Sequence, residues 1–399
     1  MSKKNILFVN YSLHSGGIEK SLVTILSLFD YDKYNVDLQL FANDGMFLER
    51  VSEKVNLLPP LFPKEYKLNI RQAFFALIKK GYPKIAFCRL LVTFAGLSGT
   101  MGERLVKMWN IEKRFIKAPK KEYDAVVAFM EGQPIYYAVT KVKSKVKIGF
   151  IHGDYIAMGL NKDFDYDYIK QLNALCTVSE SCKTALVKTF PNISDKFHVI
   201  YNIISSNFMR DMADEKADFE DDFDGMRVLS IARLSKQKGL DIALPAIAKL
   251  KKNGLSFKWY IIGIGPEKEN LQAVINELDI GDYVKFMGER SNPYPYLKAC
   301  DIYMQPSRFE GKSIAVDEAM VMCRPILLTN FSTAADQINS GENGLIVEMN
   351  SDGIAKGLEK LLTDEKLRAK YTDTLERCDY TNEDEINKLY KLINQSIEK

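Results

Sequence analysis

Two acids, Glu310 and Glu318, stand in FEGKSIAVDEAM with seven residues between them, and two cations, Arg233 and Lys238, stand five residues apart in ARLSKQKG. Paired carboxylates suggest acid-base hydrolysis, which needs the two groups about 5–10 Å apart across one bond. If a helix begins near Lys312, Glu310 falls on the loop before it and Glu318 about two turns, or roughly 12 Å, along its axis. Acids so placed share no proton and reach different parts of an extended ligand. The cations lie where a strand gives way to a helix, the edge at which doubly wound sheets take ligands. There an arginine fork and a lysine point charge can straddle a diphosphate, or both can remain solvated.

The backbone N–H groups of Lys312, Ser313 and Ile314 would open the helix between the two acids, where orphan donors and the helix dipole favour an anion. YIIGIGPEKENL places Gly263 and Gly265 after a strand in the order of a phosphate-cradling turn. Position 268 is Lys, so the third glycine of a dinucleotide fingerprint is missing and NAD is disfavoured. Two glycines after a strand also serve a plain tight turn. In YSLHSGGIEK, Gly16 and Gly17 would let a ligand approach the backbone at the start of the first helix. Glu19 either caps that helix or faces the acceptor. His152 in FIHGD is either a site residue or a satisfied structural histidine.

Elements that could position these residues are legible as alternating apolar runs. NILFVN, the YSLHSGG loop, IEKSLVTILSLF and YNVDLQLFA read as strand, loop, helix, strand, a β-α-β unit. Residues 62–121 break the alternation with amphipathic helices, after which strands resume at YDAVVAF, KVKIGFIH, ALCTVS and FHVIYN. The acidic stretch ADEKADFEDDFDG, 213–225, reads as a linker or exposed loop. A second alternation follows, from MRVLSIA through FKWYIIG, YVKFMG, DIYMQPS and RPILLT, the last followed by STAADQINS, to NGLIVEM. The reading is an α/β chain with two Rossmann-like doubly wound domains facing a cleft: 1–205 carrying the insertion, then 206–380. A terminal helix in 381–399 is expected to pack back toward the first domain.

Composition bounds what the chain can be. It has 399 residues, 46% hydrophobic and 27% charged, with a net charge of +3. No run approaches the ~18 apolar residues of a spanning helix, and the N-terminus lacks a signal-peptide layout. A cytoplasmic protein, soluble or peripheral on the inner face of the membrane, is expected. Six scattered cysteines and three isolated histidines make a zinc site improbable, so no metal or cofactor is expected. Residues 62–121 hold fourteen Lys/Arg against three Glu, leaving the rest of the chain net acidic. Nucleic acid is disfavoured, since no binding motif accompanies that patch. Docking at a membrane surface and a merely solvated basic face both fit it.

Taken together, GGIE, FIHGD, ARLSKQKG, GIGPE, NPYPYL before DIYMQPS, and E-GKSIAVD-E resemble family 4 of the retaining glycosyltransferases, enzymes of the GT-B fold, over nearly the whole chain. The resemblance implies transfer of a sugar from a UDP- or GDP-sugar donor to a glycan or lipid-linked glycan in bacterial surface polysaccharide biosynthesis. It implies that Glu310 contacts the donor sugar, Glu318 the ribose, and Arg233 and Lys238 the diphosphate, with His152 near the sugar and no metal. Donor contacts then extend to Gly16, Gly17, Gly263, Gly265, Gly311, Lys312, Ser313 and Ile314, with Gly288 and Arg290 in the stretch 288–292 facing the base. Lys312 stands where many relatives carry an apolar or small residue. It would add a phosphate contact or point to water. A catalytically silent GT-B partner subunit and a nucleotide-sugar epimerase of similar fold are the competing readings.

Overall fold

The computed structural model describes residues 3–395 apart from Ser15, Asp154, Ala157 and Gly311, with the backbone alone for Met101, Asn207 and Gln395. The chain forms two compact units, one of residues 1–203 with 383–399 and the other of residues 204–382. The break therefore falls at 203/204, two residues before the expected boundary.

Unit 1 opens with β1 (Lys4–Asn10), α1 (Gly17–Leu28), β2 (Tyr34–Leu40) and β3 (Asn56–Leu57). The insertion follows as α2 (Ile70–Lys79), α3 (Pro83–Ala95) and α4 (Met101–Glu112). The alternation then resumes with β4 (Tyr123–Ala128), α5 (Gln133–Lys141), β5 (Ser144–Ile151), α6 (Lys162–Ile169), β6 (Ala174–Thr177), α7 (Glu180–Thr189) and β7 (Phe197–Val199). Among the described residues the strands form one parallel sheet in the order β3-β2-β1-β4-β5-β6-β7. Its central strands are apolar on both faces, as a parallel sheet covered by helices requires: Ile6, Leu7, Phe8 and Val9 are all fully buried.

The insertion is a folded part of that core. Ala73, Leu77, Ala86, Cys88 and Trp109 are fully buried within it, and Trp109 donates its indole N–H to Tyr168 at 3.0 Å. A Thr100/Glu103 capping box starts α4. At the end of α4, Glu112 is completely buried. It accepts from Tyr66 at 2.8 Å and from Gln133 at 2.5 Å. Burial pushes its carboxyl up to about 7.

Unit 2 begins with α8 (Ser206–Ala213) and runs through β8 (Met226–Ile231), α9 (Leu240–Lys252), β9 (Phe257–Ile262), α10 (Lys268–Glu277) and β10 (Val284–Gly288). It continues with α11 (Tyr294–Ala299), β11 (Ile302–Gln305), α12 (Ile314–Val321), β12 (Ile326–Thr329), β13 (Leu345–Val347), α13 (Ser351–Thr363) and α14 (Glu365–Glu376). Among the described residues its six parallel strands take the order β10-β9-β8-β11-β12-β13, the reversal beside β8 that places ligands at the carboxyl ends of β8 and β11. STAADQINS yields only a 3-10 turn, Ala334–Asp336, in place of a helix.

The acidic stretch 213–225 is no free linker, because unit 2 holds it down. Phe219 is buried in the unit's core, and Asp221 accepts from Tyr260 at 3.0 Å and Lys258 at 3.2 Å. The last helix, α15 (Ile386–Gln395), returns to unit 1. Tyr390 stacks on Tyr34 with 5.4 Å between ring centroids, and Leu389 and Ile393 are buried in the core on that side of the sheet.

Candidate donor-binding site

In unit 2 the loops leaving β8 and β11 are tied to each other. Gly239 has φ +62°, and a Cβ there would lie 1.9 Å from the carbonyl oxygen of Pro306, so only glycine permits the approach. Arg308 N–H donates to the Gln237 carbonyl at 2.8 Å, and Gln237 Nε2 donates to the Phe309 carbonyl at 3.1 Å. The Arg308 guanidinium grips Asp241 with two bonds of 2.7 Å each, a fork-to-fork pair.

Those ties bring Lys238 and Glu310 together, Nζ to Oε1, at 2.6 Å. The same Oε1 accepts from Gln305 Nε2 at 2.9 Å and Ser307 Oγ at 2.6 Å. Gln305 is itself fixed by Tyr303, whose hydroxyl donates to its Oε1 at 2.6 Å. The Glu310 carboxylate is thus immobilised through one oxygen. Its Oε2 accepts no hydrogen bond among the described residues and keeps its capacity for a ligand hydroxyl. Lys238, with three donors on one ammonium, can hold Glu310 and an incoming anion together.

Arg233 lies on the same β8 loop, exposed and with no ion pair among the described residues. Gly263 and Gly265 are explained by this loop before any ligand is considered. A Cβ on Gly263 would meet the Ala232 carbonyl oxygen at 2.0 Å, and one on Gly265 the Leu234 carbonyl oxygen at 2.3 Å. Leu234 N–H donates to Ile264 at 3.0 Å and Glu267 N–H to Leu234 at 3.1 Å. Gly288, at φ +68°, accepts from the Gly263 N–H at 2.8 Å. The glycine turns therefore brace the segment that presents Arg233. Arg290 pairs with Glu220 of the acidic stretch and bonds the Tyr296 hydroxyl at 3.2 Å, so its charge is already compensated.

The start of α12 departs from the sequence expectation. The helix opens at Ile314 with Ser313 as N-cap, and the Ser313 N–H is taken by Gln337 Oε1 at 3.0 Å. Ile314 and Ala315 carry the helix-start N–H groups with no acceptor among the described residues. Lys312 precedes the helix and is ion-paired with Asp317 at 2.8 Å, which answers whether it simply points to water. Gly311 lies outside the described residues. Glu318 is 4% exposed, and the buried Tyr294 of α11 donates to its Oε1 at 3.0 Å.

Unit 1 carries a second group. Gly16 is the N-cap of α1 and Gly17 its first residue. A Cβ on Gly16 would lie 2.1 Å from Glu19 Oε2, so the glutamate folds back over its own helix start. Burial raises the Glu19 carboxyl to about 6, with the charge of Glu131 adding to it. Glu131 is raised as well, first by burial, and accepts the His152 backbone N–H at 3.2 Å. His152 sits 3.0 Å from the Phe129 carbonyl through Nε2. A carbonyl only accepts, so Nε2 carries the proton. Burial lowers the imidazole to about 4, and its ring stacks on Phe150 at 5.7 Å. A neutral, doubly anchored histidine results.

Sequence reasoning passed over Gln305, Ser307, Asp241, Arg308, Tyr294, Gln337 and Glu131. One signal was available: a glutamine closing the otherwise apolar strand β11 is a buried polar group that needs a partner.

Known proteins resemble the chain in sequence and in fold. Residues 212–376 match the family described as Glycosyl transferases group 1. The chain is 26% identical over 363 residues to N-acetylgalactosamine-N,N'-diacetylbacillosaminyl-diphospho-undecaprenol 4-alpha-N-acetylgalactosaminyltransferase of Campylobacter jejuni, covering 90% of this chain and 91% of the relative. Among solved structures, a glycosyltransferase from Rickettsia africae superposes with a TM-score of 0.68 at 16% identity, over 100% of both chains. HepE from Anabaena, solved in complex with UDP and glucose, gives a TM-score of 0.66 at 17% identity, covering 99% of this chain and 98% of that one. The architecture is GT-B, two Rossmann-like domains, and the stretch similar to the group 1 glycosyltransferase family lies within unit 2.

Proposed function

We propose that this protein transfers a sugar, with retention and without a metal ion, from a nucleotide-sugar to a glycan or lipid-linked glycan acceptor in bacterial surface polysaccharide biosynthesis. The observation that carries the proposal is the Lys238–Glu310 contact of 2.6 Å, held by two mutually tied loops at the carboxyl edge of a sheet.

Breaking the anomeric C–O bond leaves negative charge on the departing diphosphate while the sugar gains oxocarbenium character. Lys238, Arg233 and the N–H groups opening α12 are positive groups suited to that charge. Glu310 Oε2 is suited to a hydroxyl of the donor sugar and Glu318 to the ribose. The acceptor oxygen bonds to the anomeric carbon on the face the phosphate leaves, and a departing phosphate oxygen takes the acceptor proton. His152 is neutral at physiological pH, so any part it takes is through uncharged hydrogen bonding. An acceptor of the kind named for the Campylobacter relative, a sugar on diphospho-undecaprenol, would put the protein at the cytoplasmic face of a membrane.

A binding and turnover panel of UDP-, GDP- and TDP-sugars, with and without a chelator, tests the reading. Expected are tight binding of one nucleotide class and chelator-resistant transfer with retained anomeric configuration. Turnover that the chelator abolishes, or an inverted product, would overturn those parts of it. Conversion of the donor without any acceptor would point to an epimerase.

A further inference from the structure

Eleven large apolar side chains are exposed among the described residues, and seven of them fall between Leu68 and Leu97. On α2, Phe75 is 72% and Ile78 45% exposed, and on α3 Phe87 is 53% and Phe94 65% exposed, with Tyr82 in the turn between and Leu97 beyond. The opposite faces of both helices supply Ala73, Leu77, Ala86, Cys88 and Val92 to the core. Each helix is thus apolar on two sides, although only one side is covered within unit 1.

Cations line the uncovered side. Arg71, Phe75, Ile78 and Lys79 recur at the three- and four-residue spacing of one helix face, as do Lys84, Phe87 and Phe94. Lys79, Lys80 and Lys84 flank the turn and are all exposed. Of the three acids in the segment, Glu112 is buried away from this face and Glu65 is buried in an ion pair with Lys80 at 2.6 Å, so the positive charge left on the face comes from Arg71, Lys79 and Lys84. Protein interfaces are depleted of lysine at their apolar centres. Phenylalanine interleaved with lysine is instead the composition of a helix lying in a headgroup layer.

We propose that the outward face of α2 and α3 docks on an anionic lipid bilayer, its aromatic rings entering the acyl boundary while Arg71, Lys79 and Lys84 meet headgroup phosphates. The proposal rests on the reading above for the acceptor it would bring within reach, and not for the binding itself.

Flotation of the full chain with phosphatidylcholine vesicles, with and without phosphatidylglycerol, tests it. Association is expected with the anionic vesicles, weakened by salt. A basic residue near an anionic leaflet contributes about a factor of five in partitioning, so Lys79→Gln with Lys84→Gln should lower it about 25-fold. Phe75→Ser with Phe94→Ser should lower it at least tenfold without changing the melting temperature, since both rings are exposed. Equal binding to both vesicle types, or unchanged binding of these variants, would overturn the proposal. So would a concentration-dependent dimer that the Phe variants dissolve while vesicles are ignored. Transfer to a water-soluble acceptor separates the two readings: it should survive in the Phe variants, and its absence in the unaltered protein alongside intact flotation would sink the activity and leave the surface standing.

Discussion

Glu310 directs three donors onto one of its oxygens, and the consequence is a carboxylate that cannot turn. Replacing it by Gln preserves shape and one acceptor oxygen but removes the negative charge facing Lys238 and turns the Oε2 acceptor into a donor. Turnover should fall by about 10²–10³-fold, the effect of losing one preorganised electrostatic contact. Lys238→Ala should do the same, and thermal melts of both variants would establish that they remain folded. A variant pair with undiminished turnover would remove these two residues from the mechanism. His152 makes a different prediction. Its imidazole, lowered to about 4, stays neutral above pH 5, so the pH–rate profile should lack a limb near 6.5 that His152→Gln abolishes. Glu310, Arg233 and Lys238 could be picked from the sequence as candidates because each is a charged residue on a loop that follows a strand, and the family resemblance supplied their roles. Gln305 and Ser307 could not, since a buried amide and hydroxyl acquire meaning only when the loop folds over them.

At the scale of elements, the two loops of unit 2 act as one body. Gly239→Ala would place a methyl against the Pro306 carbonyl in a left-handed backbone that by itself costs about 1–2 kcal/mol. A melting temperature lowered by several degrees and a raised donor KM are expected. Arg308→Ala and Asp241→Ala should each raise the donor KM, and the double variant should be no worse than either single, as residues in one contact behave. Additive losses would show that the tie does not position Lys238. The expected β-α alternation matched the strands closely because continuous apolar runs mark a parallel sheet. It overshot at STAADQINS, where Gln337 turns inward to bond Ser313 and Asp317 instead of extending a helix. In the insertion, Glu112 rises to about 7, so the native state holds a proton that the unfolded chain releases near 4.5. The stabilisation is therefore complete below about pH 4.5 and is lost as pH rises through 7. Melting temperatures of the unaltered protein should decline across that window, and Glu112→Gln should flatten the decline. A parallel decline in the variant would assign the slope to other groups.

The whole molecule is two units threaded by a chain that leaves unit 1 at residue 203 and comes back at 383. That division was half legible: the acidic stretch marked the region of the boundary, but its charge concealed Phe219, whose burial anchors the stretch to unit 2. Ending the chain at residue 382 removes Leu389, Tyr390 and Ile393 from unit 1 and none of the residues of unit 2. Unit 1 alone should then lose protection from protease, whereas simultaneous loss in both units would mean that they fold as one. Translation meets the same order. At about 5–20 residues per second, the ribosome spends on the order of 10–40 s making residues 204–382 after the sheet of unit 1 has emerged. Throughout that interval Phe29 and Tyr34 lack the ring of Tyr390 that later covers them. The first domain to be synthesised is thus the last to be finished, and a chaperone that shields apolar surface has its longest opportunity there.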